Sequence, residues 1–263
     1  MPGTGGHDRH PAVHAHRGAS ALFPENTMAA FRAAREIGAD GIEFDVHATA
    51  DGQLVVLHDY DLARTTSGTG LVHERDLAYV RTLSAGAWFA ERFERERVPL
   101  LAEVLEMEDL DFELEVKGLP TPRLVSGIVD AISNAGVAAR VELTGSHLVA
   151  LTALRPQLTD SRFGLFAPAR APWMTDALYQ QILTDTALLG RFDTVHVPAP
   201  LVEAIDVGRL HSCGLRLHAA DPATTEELIS AVTRSDQLTA DDPGEALRLR
   251  CEIRPAGDAG RRA

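Results

Sequence analysis

The sequence predicts an α/β protein, a single-domain (β/α)8 TIM barrel, and three observations lead there. Short apolar runs alternate eight times with longer amphipathic stretches. Parallel neighbours need such crossovers, because tight hairpins join only antiparallel strands. The chain has 263 residues, close to the ~250 typical of that barrel. No linker-like break or internal repeat divides it. An open, doubly wound sheet is the alternative arrangement of the same alternation.

Strands are expected at 13–17, 41–47, 111–117, 141–144, 162–166, 194–197, 215–218 and 237–239. Helices are expected at 27–37, 100–107, 122–135, 147–155, 174–188, 202–213, 225–234 and 244–250. In the first of these, Met28, Phe31, Ala34 and Ile37 recur every three residues and so keep one buried face. Residues 1–12, rich in Gly, Pro and polar side chains, read as a disordered tail, 13–252 as the barrel and 253–263 as a second tail. His7, His10 and His14 read as a solvated His-rich tail. The stretch 60–96 is irregular, with a Gly-rich start and an Arg/Glu-rich end, and reads as a loop excursion after the second strand. Its Trp88 and Phe89 either cover the pocket or cap a surface cluster, and the charge run 91–97 is a solvated face.

Composition narrows the partners. A 45% hydrophobic, 24% charged chain can build a sizeable core. Lys plus Arg number 25 against 38 Asp plus Glu, a net charge of −13 that repels nucleic acid and anionic membrane. Aromatic content of 5% offers few stacking platforms. No apolar run approaches the ~20 residues of a membrane span, and the N-terminus lacks the apolar segment of a secretory signal. The expectation is a cytoplasmic protein without membrane anchor. Cys213 and Cys251 form neither a disulfide framework nor a zinc motif, and read as structural thiols. Oligomeric state is not encoded in these counts.

Strand parity points to the chemistry. Side chains alternate between barrel interior and helix-facing side, and active sites gather at the strands' C-terminal ends. In 41–46, Glu43 and Asp45 share one face while Ile42, Phe44 and Val46 share the other. In 112–117, Glu113, Glu115 and Lys117 lie together, opposite Phe112, Leu114 and Val116. The apolar faces can pack under helices, which points the charges inward, where unpaired carboxylates are costly. Several facing carboxylates need a cation, and oxygen-only ligands favour a hard one, Mg2+ or Ca2+, over zinc. Glu113 is the weakest member, since it can instead hydrogen-bond to Lys117. His16 and His58 lie at strand ends nearby and make a natural acid and base couple. Arg17 and Lys117 supply the positive charge a phosphate wants. His147, His196 and His218, at or near strand ends, each favour a structural role.

A longer ordered string then carries a resemblance. His16-Arg17-Gly18, Pro24-Glu25-Asn26-Thr27, Ala30-Phe31, Gly38-Ala39-Asp40, Glu43-Phe44-Asp45-Val46, Thr49, Asp51-Gly52 and Val55-Val56-Leu57-His58-Asp59 follow in register. Arg64-Thr65-Thr66, Gly68-Thr69-Gly70, Val98-Pro99-Leu100 and Glu115-Val116-Lys117-Gly118 continue it. Over roughly 13–118 the chain resembles the glycerophosphodiester phosphodiesterase family of TIM-barrel, metal-dependent hydrolases. The resemblance implies that Glu43, Asp45 and Glu115 hold one divalent cation, that His16 and His58 are the acid/base pair, and that Arg17 and Lys117 contact the phosphate. Asn26-Thr27 and Arg64-Thr65-Thr66 match too, and their expected work is capping a helix and ordering a loop.

The second half departs from the family pattern. Gly145-Ser146-His147 stands where a Ser-Phe pair is usual, and Leu217-His218-Ala219-Ala220-Asp221-Pro222 lacks the usual aromatic. That aromatic helps wall the alcohol part of the substrate, so the departure bears on substrate identity more than on chemistry. The stretch 238–243 is close to the family's Thr-Asp-x-Pro ending, with an insertion. The implied activity is metal-dependent hydrolysis of a small-molecule glycerophosphodiester to glycerol phosphate and an alcohol, by His acid/base catalysis. Alternatives on the same scaffold are lysophospholipase D-like hydrolysis of a lipid phosphodiester, or a catalytically silent homologue that binds a phosphoryl ligand. Direct attack by water and attack by the substrate's own glycerol hydroxyl are both compatible with these residues.

Overall fold

The computed structural model describes residues 10–253; residues 1–9 and 254–263, with most of both expected tails and His7, lie outside the described residues. Strands β1 (Ala12–Ala15), β2 (Gly41–Ala48), β4 (Asp111–Val116), β5 (Val141–Thr144), β6 (Arg162–Phe166), β7 (Thr194–Pro198), β8 (Arg216–Ala220) and β9 (Gln237–Ala240) pair in parallel with their sequence neighbours. β1 pairs with both β2 and β9, which closes the sheet into the (β/α)8 barrel. The short strand β3 (Leu54–Val56) adds antiparallel to β2. It lies in the short apolar run 54–57, outside the eight expected strands.

Helices α1 (Met28–Ile37), α2 (Leu77–Val80), α3 (Leu101–Leu105), α4 (Pro122–Ala135), α5 (Leu148–Leu154), α6 (Asp176–Leu189), α7 (Val207–Ser212), α8 (Thr225–Arg234) and α9 (Pro243–Glu252) complete the described chain. Thr27 starts α1, its hydroxyl accepting the Ala30 N–H. The helix expected at 202–213 is two pieces. A 3-10 turn over Ala199–Ala204 ends, and α7 restarts where the Asp206 carboxylate accepts the Arg209 N–H.

Alternation sorts the strands as expected. Ile42, Phe44, Val46, Phe112, Leu114 and Val116 join one buried cluster with the helices that cover them. Val195, Val197, Leu217, Ala219 and Leu238 join a second. The intervening residues of these strands face the interior, which is filled with polar side chains: His14, Glu43, Asp45, Glu113, Glu142, His196, His218 and Thr239 are all buried. His14 is therefore part of the barrel interior and not of a solvated tail. The excursion after β2 has a small core of its own, built from Val55, Leu62, Val72, Val80, Leu83 and Val98. Trp88 packs edge-to-face on Phe89, which meets Phe93, so this pair caps a surface aromatic cluster. Cys213 and Cys251 are exposed free thiols and contribute nothing to the core.

Candidate active site

Register brings the carboxylates together. Asp45 on β2 lies opposite Glu115 on β4, and Glu43, Asp45 and Glu115 each offer an oxygen within 4.8 Å of the others. Glu43 Oε2 accepts the Arg17 backbone N–H at 3.0 Å, and Asp45 Oδ2 accepts from Asn26 Nδ2 at 2.8 Å. Lys117 Nζ sits 2.7 Å from Glu115 Oε1 and 3.5 Å from Asp45 Oδ1. Asp45 Oδ1 is buried without a hydrogen-bond partner. Burial pushes the Glu43 carboxyl well up, and the charge of Asp45 adds to it. Burial and Asp45 likewise push Glu115 up to about 7, against the pull of Lys117. Three crowded, buried carboxylates with an orphaned oxygen fit a hard divalent cation, whose charge lets all three ionise.

The two histidines sit above this cluster, each oriented by a carboxylate. His16 follows β1, and its Nδ1 lies 2.7 Å from Asp241 Oδ1, which also accepts from the Ser20 hydroxyl at 2.9 Å. Its other nitrogen, Nε2, lies 3.9 Å from Glu43 Oε2 and 3.7 Å from Asp221 Oδ1. Desolvation alone would lower this imidazole, yet the Asp241 bond and the charges of Glu43 and Asp221 outweigh it and raise it to about 9. His58 Nδ1 lies 2.6 Å from Asp59 Oδ1, and its carbonyl meets His47 Nε2 at 3.0 Å. Both histidines keep part of their side chain accessible, 20% for His16 and 29% for His58.

Ion pairs tie the two histidine loops together. Arg17 donates to Glu25 at 2.8 Å, Arg64 donates to both oxygens of Glu25, and Arg64 also donates to both oxygens of Asp59. The Arg64 bonds hold the Asp59 carboxyl well below the usual range. Arg17 itself is left-handed (φ 53°), and Gly18 follows at φ 83°. A Cβ on Gly18 would meet Ala30 Cβ at 2.6 Å. The His-Arg-Gly turn therefore needs glycine to let it lie against α1.

The seven residues singled out by parity and resemblance, His16, Arg17, Glu43, Asp45, His58, Glu115 and Lys117, converge at this end of the barrel. The Asn26-Thr27 element caps α1 as expected, through Thr27, while Asn26, left-handed at φ 55°, holds the Asp45 carboxylate. One expectation is corrected. Glu113 does not bond Lys117; its carboxylate faces His14, His196, His218 and Gln237 deeper in the barrel. His147 lies beside the site, its Nε2 3.0 Å from the Tyr60 hydroxyl, which donates to the Lys117 carbonyl. Sequence reasoning missed Asp241 as the partner of His16. It stands 225 positions away, next to the helix-capping Asp242, and nothing local distinguishes the two.

A sequence model of the glycerophosphoryl diester phosphodiesterase family matches residues 16–156. The chain belongs to this family. It is similar to a glycerophosphodiester phosphodiesterase of Caldanaerobacter subterraneus subsp. tengcongensis, 40% identical over 158 residues. That match covers 58% of the chain and 65% of the relative, so the aligned part falls short of two thirds of that protein. The uncharacterized protein YqiK of Bacillus subtilis is 38% identical over 248 residues, 90% of the chain and 97% of the relative. The fold is also that of an Oleispira antarctica phosphodiesterase solved in complex with the product sn-glycerol-3-phosphate. The TM-score is 0.77 at 22% identity, over 91% of the chain and 96% of that structure. The family match ends before β6, so the half of the barrel that carries Asp221 and Asp241 lies beyond it. No helix among the described residues is long and apolar enough to cross a membrane.

Proposed function

We propose that the protein is a phosphodiesterase that hydrolyses small glycerophosphodiesters to glycerol phosphate and an alcohol, with the help of one divalent cation. The observation that carries this reading is a single convergence. Two imidazoles, each braced at Nδ1 by a carboxylate, flank three clustered carboxylates and two cationic side chains at the catalytic end of a barrel. When held by Glu43, Asp45 and Glu115, Mg2+ or Ca2+ supplies positive charge against the phosphoryl oxygens. Arg17 and Lys117 add fixed charge where the transition state becomes more negative. Both are locked by ion pairs, Arg17 to Glu25 and Lys117 to Glu115, so they need little reorganisation.

Proton transfer falls to His16 and His58. With Nδ1 engaged by Asp241 or Asp59, each ring presents Nε2 to a bound diester. One Nε2 takes the proton of the attacking oxygen, from water or from the substrate's own glycerol hydroxyl, and the other returns a proton to the departing alcohol oxygen. A cyclic phosphate formed by the second route is opened by water, with the same two nitrogens exchanging roles. The Oleispira phosphodiesterase binds glycerol phosphate as product, and the same ester is the product expected here. Phosphorus NMR of reactions with glycerophosphocholine and with a lysophospholipid tests the reading. Glycerol phosphate should accumulate from the soluble diester. Turnover of the lysolipid alone would assign a lipid substrate, and binding without turnover would assign a silent homologue.

A further inference from the structure

Lys117 stands one residue past the end of β4 and serves the site from a bend in the chain. The Lys117 and Gly118 N–H groups both donate to the Val46 carbonyl, at 3.1 and 3.0 Å. Two donors on one acceptor take the backbone out of the ladder as a bulge does, and such a bend re-aims the side chain it carries. Registered pairing of β4 with β5 ends at Glu115 and Thr144, so the Lys117 carbonyl lies beyond its last strand partner. A carbonyl in that place needs a donor from elsewhere.

That donor is Tyr60. Its hydroxyl gives its hydrogen to the Lys117 carbonyl at 2.6 Å, and the same oxygen lies 3.0 Å from His147 Nε2. With the hydroxyl hydrogen spent, the phenol oxygen accepts, so Nε2 carries the hydrogen and His147 donates. The bonds run in one direction, His147 to Tyr60 to Lys117, and each polarises the next. Gly145 makes room for the chain. It sits at φ 149°, and a Cβ there would lie 2.8 Å from the Val116 carbonyl. Glycine therefore lets the β5–α5 loop pass β4 and carry His147 across to Tyr60.

Tyr60 is itself held on two sides. Its carbonyl accepts the N–H of Val72, a fully buried member of the excursion's core. Its ring meets the His47 ring edge-to-face at 4.8 Å, and His47 Nε2 donates to the His58 carbonyl at 3.0 Å. Lys117 and His58 thus hang by their carbonyls from two rings that pack on each other. The reaction proposed above uses neither Tyr60 nor His147.

The placement matters because lysine is a point charge on a flexible four-carbon stem. Nζ already has two carboxylates in reach, Glu115 Oε1 at 2.7 Å and Asp45 Oδ1 at 3.5 Å. Where the backbone of Lys117 lies decides whether the ammonium also faces the phosphoryl group or sinks among the carboxylates. We propose that Tyr60, oriented by His147, is a positioning residue that fixes the Lys117 backbone and so aims its ammonium at the phosphate. The assignment rests on the role of Lys117 in the proposed function.

The test is a double-mutant cycle. Tyr60→Phe removes one oxygen and keeps the ring on His47, so the fold persists. Its kcat/KM for glycerophosphocholine should fall about 10–100-fold. Made in Lys117→Met, the same change should cost less than about twofold, because the group it aims is gone. His147→Gln, whose amide N–H reaches the place of Nε2, should keep most of the wild-type rate, and His147→Leu should resemble Tyr60→Phe. A merely structural Tyr60 would give the same fold-loss with and without Lys117. That result, or wild-type kcat/KM in Tyr60→Phe, would overturn the proposal. A crystal structure of Tyr60→Phe reads the same point without turnover: Lys117 Nζ should leave Glu115 Oε1, and an unmoved Nζ would overturn the proposal. Wild-type protein that turns over no diester would sink the proposed function, while this structural comparison would still decide on Tyr60.

Discussion

The two ends of the barrel interior use the same residue types to opposite purpose. At the mouth, His16 and His58 each spend Nδ1 on a carboxylate of a loop and keep an accessible Nε2. Deeper down, His196 and His218 engage Nε2 with neighbours, turn Nδ1 toward Glu113, and are sealed from solvent. Glu43 and Glu113 are register partners on adjacent strands, yet burial and Asp45 drive Glu43 up, while the surrounding imidazoles hold Glu113 well below the usual range despite its burial. On the proposed function, access and the direction of the free nitrogen, more than residue type, separate the reactive histidines from the structural ones.

Paired substitutions sharpen that contrast. His16→Ala or His58→Ala should lower kcat by ~10²–10⁴ while circular dichroism and the melting curve stay near wild type; near-full turnover in His58→Ala would break the two-histidine scheme. His196→Ala should act in the opposite sense. It removes the closest partner of Glu142 and one of the imidazoles around Glu113, and should cost ~3–5 kcal/mol in denaturant unfolding. A variant of unchanged stability would show that the interior cluster holds nothing together. Asn26→Ala touches neither histidine but frees Asp45 Oδ2. Titration calorimetry should find cation affinity reduced about 10–100-fold, and unchanged affinity would remove Asn26 from the support of the site. The smallest effect is expected at the outer excursion. Trp88→Ala should leave turnover unaltered and stability within ~0.5 kcal/mol; a raised KM would restore this residue to the pocket wall.

Much of the mouth was legible in the sequence because its signal is local. Period-two alternation put Glu43 with Asp45 and Glu115 with Lys117 on one side, and Phe44 and Leu114 on the other. The barrel followed from regular alternation of strand and helix patterns. What stayed hidden depends on contacts between distant strands. Asp241 reaches His16 only because β9 closes against β1. Glu113 meets His196 and His218 only because the barrel brings β4 opposite β7 and β8. The hold of Asn26 on Asp45 was masked because Asn26 adjoins Thr27, the cap, and its left-handed turn toward Asp45 has no sequence period. The break before α7 was announced by Asp206, a good capping residue inside an otherwise helical pattern.

The proposed function rests on a cation held by three carboxylates working with two histidines on a phosphodiester. The most direct measurement is release of glycerol phosphate from glycerophosphocholine and glycerophosphoethanolamine, before EDTA, after EDTA, and after restoring Mg2+ or Ca2+. Turnover should vanish with the chelator and return with one of the two ions. Turnover that persists in EDTA, or none with either ion from folded protein, would contradict the account.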